Sequence, residues 1–244
     1  MPAECVGGLL LENRSFLVID AEDSSSRLDP ALLTLRATLH EVMEAALKRT
    51  GVGVPPEEIY DRGDGALYVL DRDVDRAELA GPLLDQVVAV LAEHNQQQDL
   101  EDWLRVRIAL SAGEVQRDDR GWSGAALTAT FRIANADAVK RTLRSAGRAQ
   151  CVVVCSDEFF RGVVRHGHST SRPQTYREVA VPLGPNSVRA WVRVPGYTEP
   201  PVPADAVPRP APAASGGGIT SIFTESVQVG RDFTIGSSPA GGGC

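Results

Sequence analysis

Asp61-Arg62-Gly63-Asp64-Gly65 separates two strand-like runs, Glu58-Ile59-Tyr60 before it and Ala66-Leu67-Tyr68-Val69-Leu70 after it. Asp-Gly between β-formers is a strong short-range hairpin signal, because glycine reaches the positive-φ conformations that tight turns use. A turn by itself needs neither a second carboxylate nor a second glycine. Gly63 and Gly65 bracket Asp64, so the backbone there is able to come close to a bulky anion. The plain alternative is a solvated turn with ordinary acidic decoration. Asp20 shifts the balance, since it closes another apolar run, Ser15 to Asp20 (SFLVID), of the kind expected of a central strand covered on both faces.

Outward from the hairpin, helical and strand periods alternate. Asp29-Pro30 reads as an N-cap followed by proline at the first helical position. Leu32, Leu35, Leu39, Val42, Met43, Ala46 and Leu47 then follow at helical spacing, and Gly51 and Gly53 end the helix. A second helix starts near Pro82, with a stripe of Leu83, Leu84, Val87, Val88 and Leu91. Leu104, Val106, Ile108 and Leu110 alternate with Arg105, Arg107, Ala109 and Ser111, the pattern of a half-buried strand. Ser123 is the expected N-cap of one helix from Gly124 to about Ala146, and Cys151 to Cys155 reads as a buried strand. Ser156 caps a short helix, and 176–181 with 187–194 form a closing hairpin. Residues 1–13 read as a loose lead-in. The order predicts an α+β fold with a ferredoxin-like βαββαβ core, an extra C-terminal helix and a hairpin.

The expected organisation is a folded domain over 13–194, a Pro/Ala/Gly linker over 195–218 and a β-rich segment over 219–236. An apolar share of 43% in 244 residues suffices for a core. A net charge of -7 argues against a nucleic-acid footprint, which needs a basic face. No apolar run is long enough to span a membrane, and four scattered cysteines do not make a disulfide framework. A soluble cytoplasmic protein with reduced thiols is expected.

Two carboxylates, Asp20 and Asp64, at one sheet edge present hard oxygen ligands to divalent cations. Two such ions ~3.5–4 Å apart stabilise the attacking and leaving oxygens of an in-line phosphoryl displacement. Thr128 and Arg132 are four apart on a helix and share a face, and an arginine there suits phosphate charge. The pair His166 and His168 lacks a third ligand nearby in sequence.

Four segments in this order resemble the class III nucleotidyl cyclase homology domain. Phe16-Leu17-Val18-Ile19-Asp20 resembles its first metal-aspartate strand, and Arg62-Gly63-Asp64-Gly65 its second metal-aspartate hairpin. Residues 107–115 (RIALSAGEV) resemble its strand ending in Gly-Glu-Val, and 124–133 (GAALTATFRI) its helix carrying an asparagine and an arginine. The resemblance implies that a nucleoside triphosphate, ATP or GTP, becomes a cyclic nucleotide and pyrophosphate. It implies two Mg2+ or Mn2+ ions per site on Asp20 and Asp64, and a head-to-tail homodimer in which Arg132 comes from the second chain. Thr128 stands where the family has its transition-state asparagine. Tyr60 and Gly121 stand at its two purine-selecting positions, so that Tyr60, Gly63, Gly65 and Gly121 form the nucleotide-binding set. Arg177 is the candidate for the family's transition-state lysine. An oriented donor is worth ~10²–10³ in rate, so these departures leave weak, altered or lost activity open beside full cyclase activity. The alternative is a non-catalytic nucleotide-binding or dimerisation module, or a scaffold that recruits partners through its C-terminal motif.

Val227-Gln228-Val229-Gly230 resembles the core tetrad of amyloid signalling motifs related to the RHIM, and the residues around it resemble bacterial versions that sit behind a linker. Such segments stack in register through Gln ladders and alternating valines. The resemblance implies a role in bacterial defence signalling, with a protein partner that carries a matching motif.

Overall fold

The computed structural model describes residues 11–24, 28–183 and 185–203. The expected segment 219–236 and most of the linker lie outside the described residues. Among those described, eight strands form one sheet. They are β1 (Leu11–Ala21), β2 (Ile59–Asp61), β3 (Gly65–Leu70), β4 (Val106–Asp118), β5 (Gly121–Ser123), β6 (Cys151–Ser156), β7 (Tyr176–Leu183) and β8 (Asn186–Arg193). The order is β2-β3-β1-β4-β6-β8-β7, with β5 folded back on β4. Within it, β2-β3-β1-β4 is the strand order of a ferredoxin-like βαββαβ unit.

Strand alternation assigns side chains to two cores. On β1, Leu17 and Ile19 enter the core beneath α1 (Asp29–Thr50) and α3 (Leu84–Asn95). Phe16 and Val18 enter the opposite core beneath α4 (Ala125–Ala134) and α5 (Asp137–Ser145). The other central strands split the same way, with Ala66, Ile108 and Val153 on the first face and Leu67, Ala109 and Val154 on the second. Helices on both faces explain why β4 is buried from Val106 to Gly113 rather than half-buried as its alternation suggests. Arg107 and Ser111, the polar members of the pattern, lie inside the molecule at 7% and 3% exposure.

Several local expectations shift. β1 begins at Leu11, inside the expected lead-in, because it pairs with β4 along its whole length from Leu11↔Gln116 to Ala21↔Val106. Asp29 is the first residue of α1 rather than its cap, which is Leu28. Pro82 lies within a π-turn (Leu79–Leu83) between the short α2 (Arg76–Glu78) and α3. Ser123 ends β5, and Gly124 takes the cap position of α4. The single helix expected to run to Ala146 is two, because Ala136 adopts an extended ψ of 138°. Ser156 does cap α6 (Asp157–Phe159), accepting from the Phe159 amide at 3.2 Å. Cys151 and Cys155 are free and buried. No described helix is long and apolar enough to cross a membrane.

Candidate active site

β1 and β3 run antiparallel with Asp20 opposite Gly65, so the residue before Gly65 falls beside the end of β1. The Ala21 amide donates to the Asp64 carbonyl at 2.9 Å, which holds the hairpin tip against that end. Asp20 and Asp64 therefore meet at one cavity of about 400 Å³. By strand parity Asp20 faces the α4/α5 side with Phe16 and Val18, and Phe131 of α4, Asn135 just after it and Lys140 of α5 complete that wall.

The glycines of the hairpin have different reasons from those expected. A Cβ on Gly65 would stand 2.6 Å from the Ile19 carbonyl and 3.1 Å from Asp20 Oδ1, so what Gly65 lets approach closely is Asp20 itself. Gly63 has φ +86°, a conformation costly for other residues, and its amide donates to Asp61 Oδ1 at 2.7 Å. That amide is therefore already engaged by the chain.

Charges alternate around the cavity. The Arg107 guanidinium donates to the Asp20 carboxylate from the register position directly opposite on β4. Burial raises the Asp20 pKa, with Arg107 pulling the other way and Asp64 adding to the rise. Asp64 accepts from the Ser24 hydroxyl. Arg62 lies with its guanidinium 4.6 Å from the Phe131 ring centre, a cation–π contact at the cavity mouth. Just past Asp20, Glu22 is 8% exposed and pairs with Arg105 at 3.1 Å, and burial raises its pKa too.

Among the described residues no three His, Cys, Asp or Glu side chains are grouped to hold a metal ion. The two histidines of 166–168 stand 5.8 Å apart ring to ring and belong to no such group. The oxygen donors at Asp20, Asp64 and Ser24 are nevertheless of the hard kind that suits Mg2+. Mg2+ keeps several waters and takes one or two carboxylates plus substrate phosphates rather than an all-protein cage.

The remaining sequence-expected residues lie elsewhere. Tyr60 and Gly121 are neighbours, since a Cβ on Gly121 would lie 3.6 Å from Tyr60 Cε1. Glu58, 7% exposed, ties this corner together by accepting from Trp122 Nε1 at 2.6 Å and from Arg117. Burial, and secondarily the Glu58 charge, raises the Tyr60 pKa. Thr128 and Arg132 are exposed on α4, and Arg132 lines a different cavity, with Arg141 and Pro182. One chain thus brings together the two aspartates, and separately the Tyr60–Gly121 pair, but not these with Thr128 and Arg132. Arg177 donates to the Pro200 and Pro201 carbonyls at 2.9 and 3.1 Å, which ties that stretch, seven residues past β8, to β7. Its guanidinium is spent on the chain's own backbone.

Arg107, Asn135 and Lys140 escaped the sequence reading as cavity residues. Arg107 left a signal, because an arginine inside an apolar strand needs a carboxylate partner. Lys140 left none, since its placement depends on how α5 is aimed.

No protein-family model and no curated protein matches the sequence. Solved structures match the fold. The guanylyl cyclase Cya2 aligns at TM-score 0.53 and 16% identity over 79% of this chain and 98% of that one. A bacterial light-regulated adenylyl cyclase aligns at 0.53 and 12%, covering 78% of this chain and 54% of the other. An adenylate/guanylate cyclase/hydrolase from Silicibacter pomeroyi aligns at 0.50 and 14%, covering 76% and 99%. At these identities the likeness is one of fold. The described domain is a mixed α+β domain whose fold matches that of these cyclase structures.

Proposed function

We propose that this chain is a nucleotide cyclase-type signalling domain acting on a nucleoside triphosphate, ATP or GTP. The observation that carries the reading is the convergence of Asp20, near the end of the interior strand β1, and Asp64, just before β3, on one cavity of a sheet with a cyclase-like fold. In the reaction the ribose 3′ oxygen bonds to the α-phosphorus while the α–β bridging oxygen leaves with the bonding pair as pyrophosphate. The hydroxyl proton passes to water. Asp20 and Asp64 would hold one or two Mg2+ or Mn2+ ions there. Such ions neutralise charge on the phosphoryl oxygens and favour ionisation of the attacking hydroxyl. Arg62 and Arg107 supply positive charge at the cavity wall.

Tyr60, Gly121, Thr128 and Arg132 serve the site of a second copy in a head-to-tail homodimer, where Arg132 meets the triphosphate and Tyr60 meets the base. Their exposure or separation from the aspartate cavity supports this division. Segment 219–236 carries the homotypic assembly function, recruiting a protein with a matching motif. One observation favours the non-catalytic alternative: Thr128 has no amide to orient the transition state, and it is exposed.

The test incubates the full chain with Mn2+ and each of the four nucleoside triphosphates and measures cyclic product and pyrophosphate. Product that disappears in Asp64→Ala and Asp20→Ala by at least about 10³-fold supports catalysis. Saturable Mn2+-dependent binding without product supports the alternative. Neither product nor binding sinks both.

A further inference from the structure

Lys140 is a cation in the aspartate cavity that the resemblance does not supply. It sits on α5 and lines the same cavity as Asp20, Asp64 and Phe131. An α-helix turns by about 100° per residue, so in an unbroken helix Phe131 and Lys140 would fall on roughly opposite faces. They share a cavity because the helix breaks between them. Asn135 leaves helical geometry at ψ 4°, Ala136 is extended at ψ 138°, and α5 restarts at Asp137 with a new direction.

That direction is firmly set. Val139 and Leu143 are fully buried in the core beneath α4 and α5. The C-terminal carbonyls of α5 are capped by Arg105, which reaches the Leu143 carbonyl at 2.5 Å and the Ala146 carbonyl at 3.2 Å. Arg105 in turn pairs with Glu22, two residues past Asp20, so α5 and the aspartate-bearing strand are tied through one side chain. Lys140 itself makes no hydrogen bond or ion pair among the described residues, and its charge acts on Asp20. Arg107 differs in being already committed to Asp20.

We infer that Lys140 is a polyphosphate ligand furnished by the same chain as Asp20 and Asp64, and that it takes up the charge of the departing pyrophosphate. As the bond from the α-phosphorus to the bridging oxygen breaks, that oxygen keeps the electron pair and its negative charge falls to the Lys140 ammonium. This rests on the cyclase reading for its reaction, but polyphosphate binding can be measured without turnover.

The experiment compares full-length wild type, Lys140→Met, Lys140→Arg and Asp64→Ala. Binding of inorganic tripolyphosphate in the presence of Mn2+ is followed by calorimetry, with melting temperature and cyclic product read alongside. Lys140→Met is expected to weaken tripolyphosphate binding about 10- to 100-fold, as for loss of a charged hydrogen bond. Lys140→Arg is expected to stay within about threefold, with melting temperatures unchanged for both. The inference is overturned if Lys140→Met binds tripolyphosphate like wild type, or if wild type binds none. It is also overturned if product formation is lost in Asp64→Ala yet unchanged in Lys140→Met. If wild type makes no product but its tripolyphosphate binding is lost in Lys140→Met, the cyclase reading and the leaving-group role fall together, and Lys140 stands as a polyphosphate ligand.

Discussion

The aspartate cavity and the outer face of α4 carry motif residues of the same apparent importance, yet the chain treats them oppositely. Asp20 and Asp64 are drawn together by the β1–β3 register and by the Ala21-to-Asp64 backbone bond. Around them a single chain gathers Arg62, Arg107 and Lys140. Thr128 and Arg132 are left exposed, and neither is among the described residues that line the aspartate cavity. The contrast supports the proposed division, in which one chain supplies the carboxylate half of the candidate site and the helix half acts at a second copy.

The strongest way to break this comparison is to separate the halves by mutation. Asp64→Ala and Arg132→Ala are each expected to be inactive alone. Mixed under conditions that allow subunit exchange, they should regain about a quarter of wild-type activity, because half the dimers are mixed and each has one intact site. Two dead variants that stay dead together would place the whole reaction within one chain.

A smaller effect sharpens the base-side corner. Glu58→Ala leaves Arg117 and the Trp122 indole N–H without their acceptor. A loss of about 1–3 kcal/mol is expected in urea unfolding. An unchanged midpoint would mean that the Tyr60–Gly121 contact is held by other means.

An effect confined to high pH belongs to the sheet face away from the cavity, where Cys151 lies in the core beneath α1 and α3. Burial pushes its thiol up from 9.0 to about 12. The folded chain therefore keeps a proton that the unfolded chain releases. That contribution is fully present below pH 9.0 and is lost as pH rises toward about 12. Stability should decline across that window, and iodoacetamide should leave Cys151 unmodified at pH 8 unless denaturant is added. Prompt alkylation of the native chain would contradict this burial.

Much of the fold can be read in advance where local signals agree. The apolar run ending at Asp20, the glycine-bracketed Asp64 and the helical stripe of α1 each follow from periodicity and turn chemistry. The failures share a cause. β4 reads as half-buried because alternation reports polarity, while burial depends on α4 and α5 covering the second face. The helix break also had local signs, since Asn135 is a common helix-ending residue and Asp137 favours a first turn, but the apolar content around them masked the signal.

From the residue order alone come most of the elements, their sequence and the two carboxylates, because backbone preference and side-chain alternation act over a few residues. Which charges face those carboxylates was decided only by the tertiary fold. Arg107 stands opposite Asp20 through strand register, and Lys140 reaches the cavity through the aim of one short helix. Both depend on contacts between segments far apart in the chain, which local spacing does not encode.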